Sequence, residues 1–103
     1  MKIKLYILFV CIFTFFTEVK GDEIFILGKD IFLNSGNCAT CHSLKDAGSI
    51  ANVGPNLNEI RPEFGRIQMA VTNGIGVMPA MIGILSEEEI KAVSHYVAIS
   101  ANN

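Results

Sequence analysis

Two cysteines and a histidine are grouped in the segment Cys38-Ala39-Thr40-Cys41-His42. This C-x-x-C-H spacing is typical of covalent haem attachment, because two thiols three residues apart can add to the two vinyl groups along one haem edge. The adjacent imidazole then lies beneath the iron. A zinc site would need four ligands, and the sequence has no second C-x-x-C to complete one. A redox dithiol of the thioredoxin kind would need a βαβ pattern, which is absent. The motif therefore predicts one covalently bound haem c.

If the haem iron serves in electron transfer, it is best held by ligands that stay in place, because a ligand that moves adds reorganisation energy. A thioether opposite His42 would serve this purpose and would favour Fe(II). After residue 21 the candidates are Met69, Met78 and Met81. Met69 lies in a helical pattern and is expected to pack. Met78 and Met81 both lie in a glycine-bearing loop. His95 is the only other histidine, and a lone histidine on a terminal helix is usually a solvated or packed residue.

The first 21 residues are typical of a secretory signal peptide. Lys2 and Lys4 precede an uncharged stretch of about thirteen residues, Leu5 to Thr17, whereas a membrane-spanning helix needs roughly 20. We therefore expect residues 1–21 to be cleaved rather than retained as an anchor, with Cys11 discarded among them. Residues 22–103 are expected to form a single monohaem domain.

The charge of the predicted mature domain limits its partners. The whole chain has a formal net charge of −2, and cleavage would remove three lysines and one glutamate, which leaves −4. An acidic domain argues against nucleic acid or an anionic membrane surface as the partner, because both attract basic patches. We therefore expect no nucleic acid partner and no stable membrane insertion after cleavage.

Apolar residues at three- and four-residue spacing predict a first helix that Asp22 caps and that ends before the segment 34–37. Gly28 lies on its apolar stripe, and glycine inside a helix costs roughly 1 kcal/mol relative to alanine. Either another helix crosses there at close approach, or the glycine is simply tolerated. The stripe consists of Ile24, Leu27, Ile31 and Phe32.

The rest of the chain predicts two further helices separated by loops. Leu44 to Glu59 has no sustained periodicity and is predicted to be a loop that covers one haem face. A second helix is expected from Pro62 to about Thr72, with Asn73-Gly74 as its end. Ser86-Glu87-Glu88-Glu89 predicts a capping box. The last helix should bury Ile90, Val93, Tyr96 and Val97. No stretch has a strand pattern, so the predicted fold class is all-α.

Three motifs make the chain similar to the class I c-type cytochromes, in particular to the small bacterial and algal cytochromes of the c6 or c552 kind. They are Cys38-Ala39-Thr40-Cys41-His42, Gly54-Pro55-Asn56-Leu57 and Val71-Thr72-Asn73-Gly74-Ile75-Gly76-Val77-Met78-Pro79-Ala80. The resemblance implies a small class I cytochrome c fold in which three to four helices pack around one covalent haem. It also implies a helix crossing of Gly28 and Phe32 against Tyr96.

The resemblance also supplies a ligand set. Cys38 and Cys41 would hold the haem, and His42 and Met78 would bind its iron, because Met78 precedes Pro79 as the family ligand does. Met81 remains the alternative iron ligand, because this sequence has a second methionine where relatives often have an aromatic residue. The carbonyl of Pro55 would accept the second N–H of His42, although from the sequence alone this proline could equally be a turn former.

Together these features predict an exported electron carrier rather than an enzyme. It would pass single electrons between larger redox proteins, such as a dehydrogenase, an oxidase or a photosynthetic or respiratory complex. The periplasm is the expected compartment, and the thylakoid lumen is the alternative. Two other functions stay open: a small subunit of a periplasmic dehydrogenase or oxidase, and a haem enzyme or gas sensor with a labile sixth ligand.

Overall fold

Helices dominate the part of the chain that the computed structural model describes, residues 20–103. The predicted signal peptide therefore lies almost wholly outside the described residues. No helix in 20–103 is long and apolar enough to cross a membrane. The elements, in chain order, are α1 (Lys20–Leu33), a 3-10 turn (Cys38–Thr40), β1 (Ser43–Leu44), β2 (Ser49–Ile50), α2 (Leu57–Ile60), α3 (Phe64–Asn73) and α4 (Glu87–Ser100).

The predicted all-α class is confirmed, with one correction. β1 and β2 pair antiparallel, with Ser43 opposite Ile50 and Leu44 opposite Ser49. These strands have two residues each, too few for an alternation of apolar and polar residues to be recognised in the sequence. The predicted loop from Leu44 to Glu59 was also wrong in part, because it contains this hairpin and most of α2.

α1 and α4 cross at Gly28. A Cβ atom at this position would overlap the carbonyl oxygen of Ala92 and lie 2.6 Å from the Cβ of Tyr96, so only glycine permits the approach. The rings of Phe25 and Phe32 pack edge-on against the Tyr96 ring, with centroids 4.9 and 5.8 Å away. The crossing predicted for Gly28, Phe32 and Tyr96 is confirmed.

The predicted start and apolar stripe of the first helix need correction. Asp22 lies inside the first turn of α1 and does not precede the helix as a cap. Ile31 and Phe32 are each 1% exposed, as expected, but Ile24 and Leu27 are 42% and 43% exposed. The crossing explains the difference, because contact at Gly28 turns Phe25 toward the core and rotates Ile24 and Leu27 away from it.

α3 begins two residues after the predicted start, so Pro62 precedes the helix. Its end agrees with the prediction: Asn73 is the last residue, and the Gly74 amide donates to the Ala70 carbonyl. Ile67 and Val71 are buried against the core. This face of α3 packs on α4.

α4 is the element that the sequence describes best. The Ser86 hydroxyl accepts from the Glu89 amide at 3.1 Å, and the Glu89 carboxylate accepts from the Ser86 amide at 3.0 Å, which confirms the capping box. The four residues predicted to be inward, Ile90, Val93, Tyr96 and Val97, are all buried. α4 therefore contributes the largest share of the core and packs against both α1 and α3.

Candidate functional site

The C-x-x-C-H segment forms a tight turn just after α1. Asn37 precedes it with a left-handed backbone, φ 53°. The amides of Cys41 and His42 both donate to the Cys38 carbonyl, at 3.2 and 2.9 Å. Both cysteines are free thiols. Burial raises the pKa of the Cys38 thiol to about 11, so it carries its proton at neutral pH. Neither sulfur is part of a disulfide, so both are left for the thioether bonds that the motif predicts.

His42 is held by a single, well-directed hydrogen bond. Its Nδ1 lies 2.8 Å from the carbonyl oxygen of Pro55. A carbonyl oxygen can only accept, so Nδ1 must carry the proton and donate it. The lone pair of the neutral imidazole then belongs to Nε2, which is the arrangement of a histidine that binds a metal. The hydrogen bond expected between His42 and Pro55 is present.

Gly54 shapes the space beside this ring. A Cβ at position 54 would lie 2.6 Å from Cε1 and 2.9 Å from Nδ1 of His42, closer than real Cβ atoms approach. The amide of Gly54 donates to the Cys41 carbonyl at 2.7 Å. The backbone of residues 54 and 55 thus lies close against the imidazole and restricts its orientation.

Met78 lies at the end of a tight turn. Its amide donates to the Ile75 carbonyl at 2.9 Å, and the Ile75 amide donates to the Met78 carbonyl at 3.1 Å. A Cβ at Gly74 would come within 2.6 Å of the Met78 carbonyl oxygen, so the end of α3 lies directly on this turn. Gly74 itself has φ 74°, which favours glycine. The turn therefore holds the backbone of Met78 from two sides and leaves its side chain half-buried.

The other two methionines occupy different environments. Met81 is only 9% exposed and belongs to the hydrophobic core, with its amide bound to the Val71 carbonyl at 2.8 Å. Met69 is on α3 as predicted, but it is 65% exposed, so the expectation that it packs was wrong. Met69 lies on the opposite face of α3 from the buried Ile67 and Val71. A helical pattern alone does not show which face of the helix is buried. His95 lies half-buried on α4.

These side chains have the chemistry that haem c requires. In a c-type site two free thiols bond to the vinyl groups of the haem, while an imidazole with its Nε2 lone pair available and a thioether bind the iron. Within residues 20–103 no cluster of three or more His, Cys, Asp or Glu side chains could hold a different metal. Two open grooves of about 480 and 340 Å³ flank Met69, and neither is lined by a residue of the C-x-x-C-H segment. The site residues therefore fit haem c.

Sequence reasoning missed two contributors to this site. The sequence singles out Gly54 only as part of the motif Gly54-Pro55-Asn56-Leu57, although its neighbour Pro55 is the available signal for a backbone that approaches His42. Asn58 was not singled out at all. Its side chain accepts a 2.8 Å hydrogen bond from the Lys45 amide, a contact between distant residues that no local pattern encodes.

Comparisons with known proteins show which family the chain resembles. A family model described as "Cytochrome C oxidase, cbb3-type, subunit III" matches residues 27–97. Cytochrome c6 of Euglena gracilis is 38% identical over 82 residues, which cover 72% of this chain and 90% of that protein. Cytochrome c6 of Microcystis aeruginosa is 39% identical over 80 residues, which cover 72% of this chain and 94% of that protein.

A solved structure is similar over most of the described fold. The c-type cytochrome SorU from Sinorhizobium meliloti is 50% identical, with a TM-score of 0.74, and the match covers 78% of this chain and 93% of SorU. At this identity the likeness extends to the sequence as well as to the arrangement of the helices.

Proposed function

Because the chain belongs to the c-type cytochrome family, we propose that it is an exported carrier that passes single electrons through an iron ligated by His42 and Met78. Its relatives are cytochromes c6 and another c-type cytochrome, and they imply a covalently bound haem c. When bound, that haem supplies an iron that takes up and releases one electron. Cys38 and Cys41 would attach it, and redox proteins would be its partners.

The observation that carries the proposal is the hydrogen bond of 2.8 Å from His42 to the Pro55 carbonyl. It fixes the tautomer and the ring orientation before any iron is bound, so Nε2 is ready to bind and does not need to reorient. Gly54 restrains the same ring sterically. A ligand held in this way moves little between oxidation states, which keeps the reorganisation energy of electron transfer low.

Burial supports Met78 over Met81 as the second iron ligand. Met81 already belongs to the buried core, so using its sulfur as a ligand would take a packed side chain out of that core at a cost of several kcal/mol. Met78 is half-buried at a turn whose backbone is held by Ile75 and Gly74. Its thioether would raise the reduction potential relative to a second histidine.

The methionine assignment can be tested with two matched variants. Met78→Ala should abolish the weak red absorption of the thioether-ligated ferric haem, lower the reduction potential and admit cyanide. Met81→Ala should keep that absorption and lose stability by about 2–5 kcal/mol, the usual cost of truncating a buried methionine. The reverse pattern would assign the iron ligand to Met81. Rapid, tight binding of CO by the unmutated protein would contradict the carrier function and favour an enzyme or sensor.

Export can be tested separately. Deleting residues 2–17 should leave apoprotein, because covalent attachment of this kind takes place beyond the membrane. The periplasm is the proposed compartment, with the thylakoid lumen as the alternative. Holoprotein formed in the cytoplasm by the truncated chain would contradict the proposal.

A second candidate function is supported by the family model that covers residues 27–97, since its description names an oxidase subunit. In that case the chain would be a small cytochrome subunit of a larger complex. Affinity purification under mild conditions distinguishes the two: a stable complex with an oxidase or dehydrogenase supports a subunit, whereas recovery as a free protein supports the carrier.

A further inference from the structure

The segments that contain His42 and Pro55 are joined at three points with one constant offset. The Gly54 amide donates to the Cys41 carbonyl at 2.7 Å. His42 Nδ1 donates to the Pro55 carbonyl at 2.8 Å, and the Lys45 amide donates to the Asn58 side-chain oxygen at 2.8 Å. Each bond joins residues 13 positions apart. Residues 41–45 and 54–58 therefore lie side by side in register, and we refer to these three bonds as the ladder.

Two groups of the ladder are side chains, the imidazole of His42 and the amide of Asn58. The Nδ2 of Asn58 also faces the last turn of α4, 3.5 and 3.4 Å from the carbonyl oxygens of Ser100 and Ala101. The last carbonyls of a helix have no partner within the helix, so this amide satisfies part of that need. Asn58 thus connects the segment after His42, the segment after Pro55 and the end of the last helix.

α2 cannot hold this position by its own stability. It has four residues, Leu57–Ile60, and isolated helices far longer than this are marginal in water. Asn56 caps it by accepting from the Asn58 amide at 2.9 Å, which orders the turn but does not attach it to the rest of the fold. α2 is attached by the burial of Leu57 in the same core as Leu44, by the contacts of α2 with β1, and by the Asn58 side chain.

We infer that Asn58 is a positioning residue that keeps the Pro55 carbonyl aligned with His42, and thereby sets the basicity of this iron ligand. The inference deepens the proposed function and rests on His42 as an iron ligand. A hydrogen bond to Nδ1–H raises the basicity of a ligating imidazole and so stabilises Fe(III). Loss of the Lys45–Asn58 bond would let residues 54–58 shift and would weaken the bond between His42 and Pro55.

The test uses covalently loaded holoprotein and two readouts, the reduction potential and the NMR exchange rate of the His42 ring N–H. Asn58→Ala should raise the potential and speed exchange by about fivefold, the factor that corresponds to one hydrogen bond of average strength. Asn58→Asp keeps an oxygen for the Lys45 amide, so it should retain slow exchange although it loses the contact with α4. This variant also keeps the test valid if Asn58→Ala does not fold.

Two controls separate positioning from general destabilisation. Asn52→Ala makes the same change at an exposed asparagine in the loop between the two segments, and it should leave both readouts unchanged. Ser86→Ala removes the cap of α4 and should destabilise the fold without changing either readout. Exchange that stays at the wild-type rate in Asn58→Ala would overturn the inference. So would faster exchange in Asn58→Asp, or equal changes in Ser86→Ala.

Failure of the proposed function would look different. A wild-type protein without reversible one-electron reduction, or one that binds CO tightly, would contradict the carrier. The comparison of ring N–H exchange among the variants would still decide whether Asn58 positions His42.

Discussion

The hydroxyl of Tyr96 donates a hydrogen bond of 2.7 Å to the carboxylate of Asp46, which lies 50 positions earlier in the chain. The same oxygen of Asp46 is 3.3 Å from the ammonium group of Lys29 on α1. Because the Tyr96 ring is fully buried where α1 and α4 cross, these contacts attach the turn between β1 and β2 to the crossing. Burial, and then the bond to Asp46, raises the pKa of Tyr96 above its ordinary value of 10.

Stability should therefore fall in alkali through Tyr96. Once the pH exceeds about 10, the unfolded chain loses the tyrosine proton while the folded chain keeps it, so the free energy of unfolding decreases by up to about 1.4 kcal/mol per pH unit. Tyr96→Phe should cost about 1 kcal/mol near neutrality and lose this slope. Denaturant titrations of both holoproteins from about pH 8 to 12 measure the difference. Parallel curves would contradict the prediction.

Gly28→Ala should be strongly destabilising, because its Cβ would collide with the backbone of Ala92 and with Tyr96. Backbone cannot move aside as a flexible side chain can, so we expect a loss of about 3 kcal/mol. Gly65→Ala is the matched control: it lies inside α3, where an added methyl group would have no atom within 4 Å, and alanine should stabilise that helix by up to about 1 kcal/mol. Equal effects of the two variants on thermal unfolding would refute the close crossing.

Gly54→Ala should act on the imidazole and not on the core. Its methyl group would lie 2.6 Å from Cε1 of His42, so the ring or the Pro55 backbone must move. We expect a smaller yield of holoprotein and a shifted reduction potential, while the helix content of the folded fraction stays that of the wild type. The potential is measured by redox titration, again with Gly65→Ala for comparison. An unchanged potential would mean that the site accommodates the added methyl group without moving His42, which would contradict the prediction.

Loss of covalent haem should unfold most of the domain. About 82 residues can bury only about 60–65% of their unfolded surface, and a large apolar group adds to this at about 25 cal/mol per Å². Changing both Cys38 and Cys41 to alanine should give apoprotein with little helical circular dichroism and no cooperative melt. A native-like melt would show that the protein core suffices, and covalent haem in this double variant would refute the attachment motif.

The sequence predicts well the features that depend on neighbours along one helix. The Ser86 cap and the buried positions of α4 are local patterns, and both are confirmed. The phase of α1 is different, because spacing alone allows either Leu27 or Phe25 to face inward. The contact of Gly28 with α4 decides between them, and it involves residues more than 60 positions apart.

In the candidate site, too, local features are predicted from the sequence and contacts between distant residues are not. The types and spacing of Cys38, Cys41 and His42 are visible in the sequence, whereas the restraint on His42 comes from backbone atoms of residues 54 and 55. Every residue has a backbone carbonyl, so the residue types in the sequence do not show which carbonyl accepts the imidazole N–H. The resemblance to known cytochromes indicated Pro55, and the contact of Asn58 with Lys45 required the structure.

The crossing at Gly28 also determines when the core between α1 and α4 can form. Ribosomes make α1 and the C-x-x-C-H segment before they make α4, and α1 has its main packing partner only after Ala92 and Tyr96 have been added. Until then the two thiols belong to a nascent chain without a closed core. Because the proposed attachment takes place beyond the membrane, the chain would have to cross it before α1 and α4 close, since Cys38 is half-buried once folding is complete.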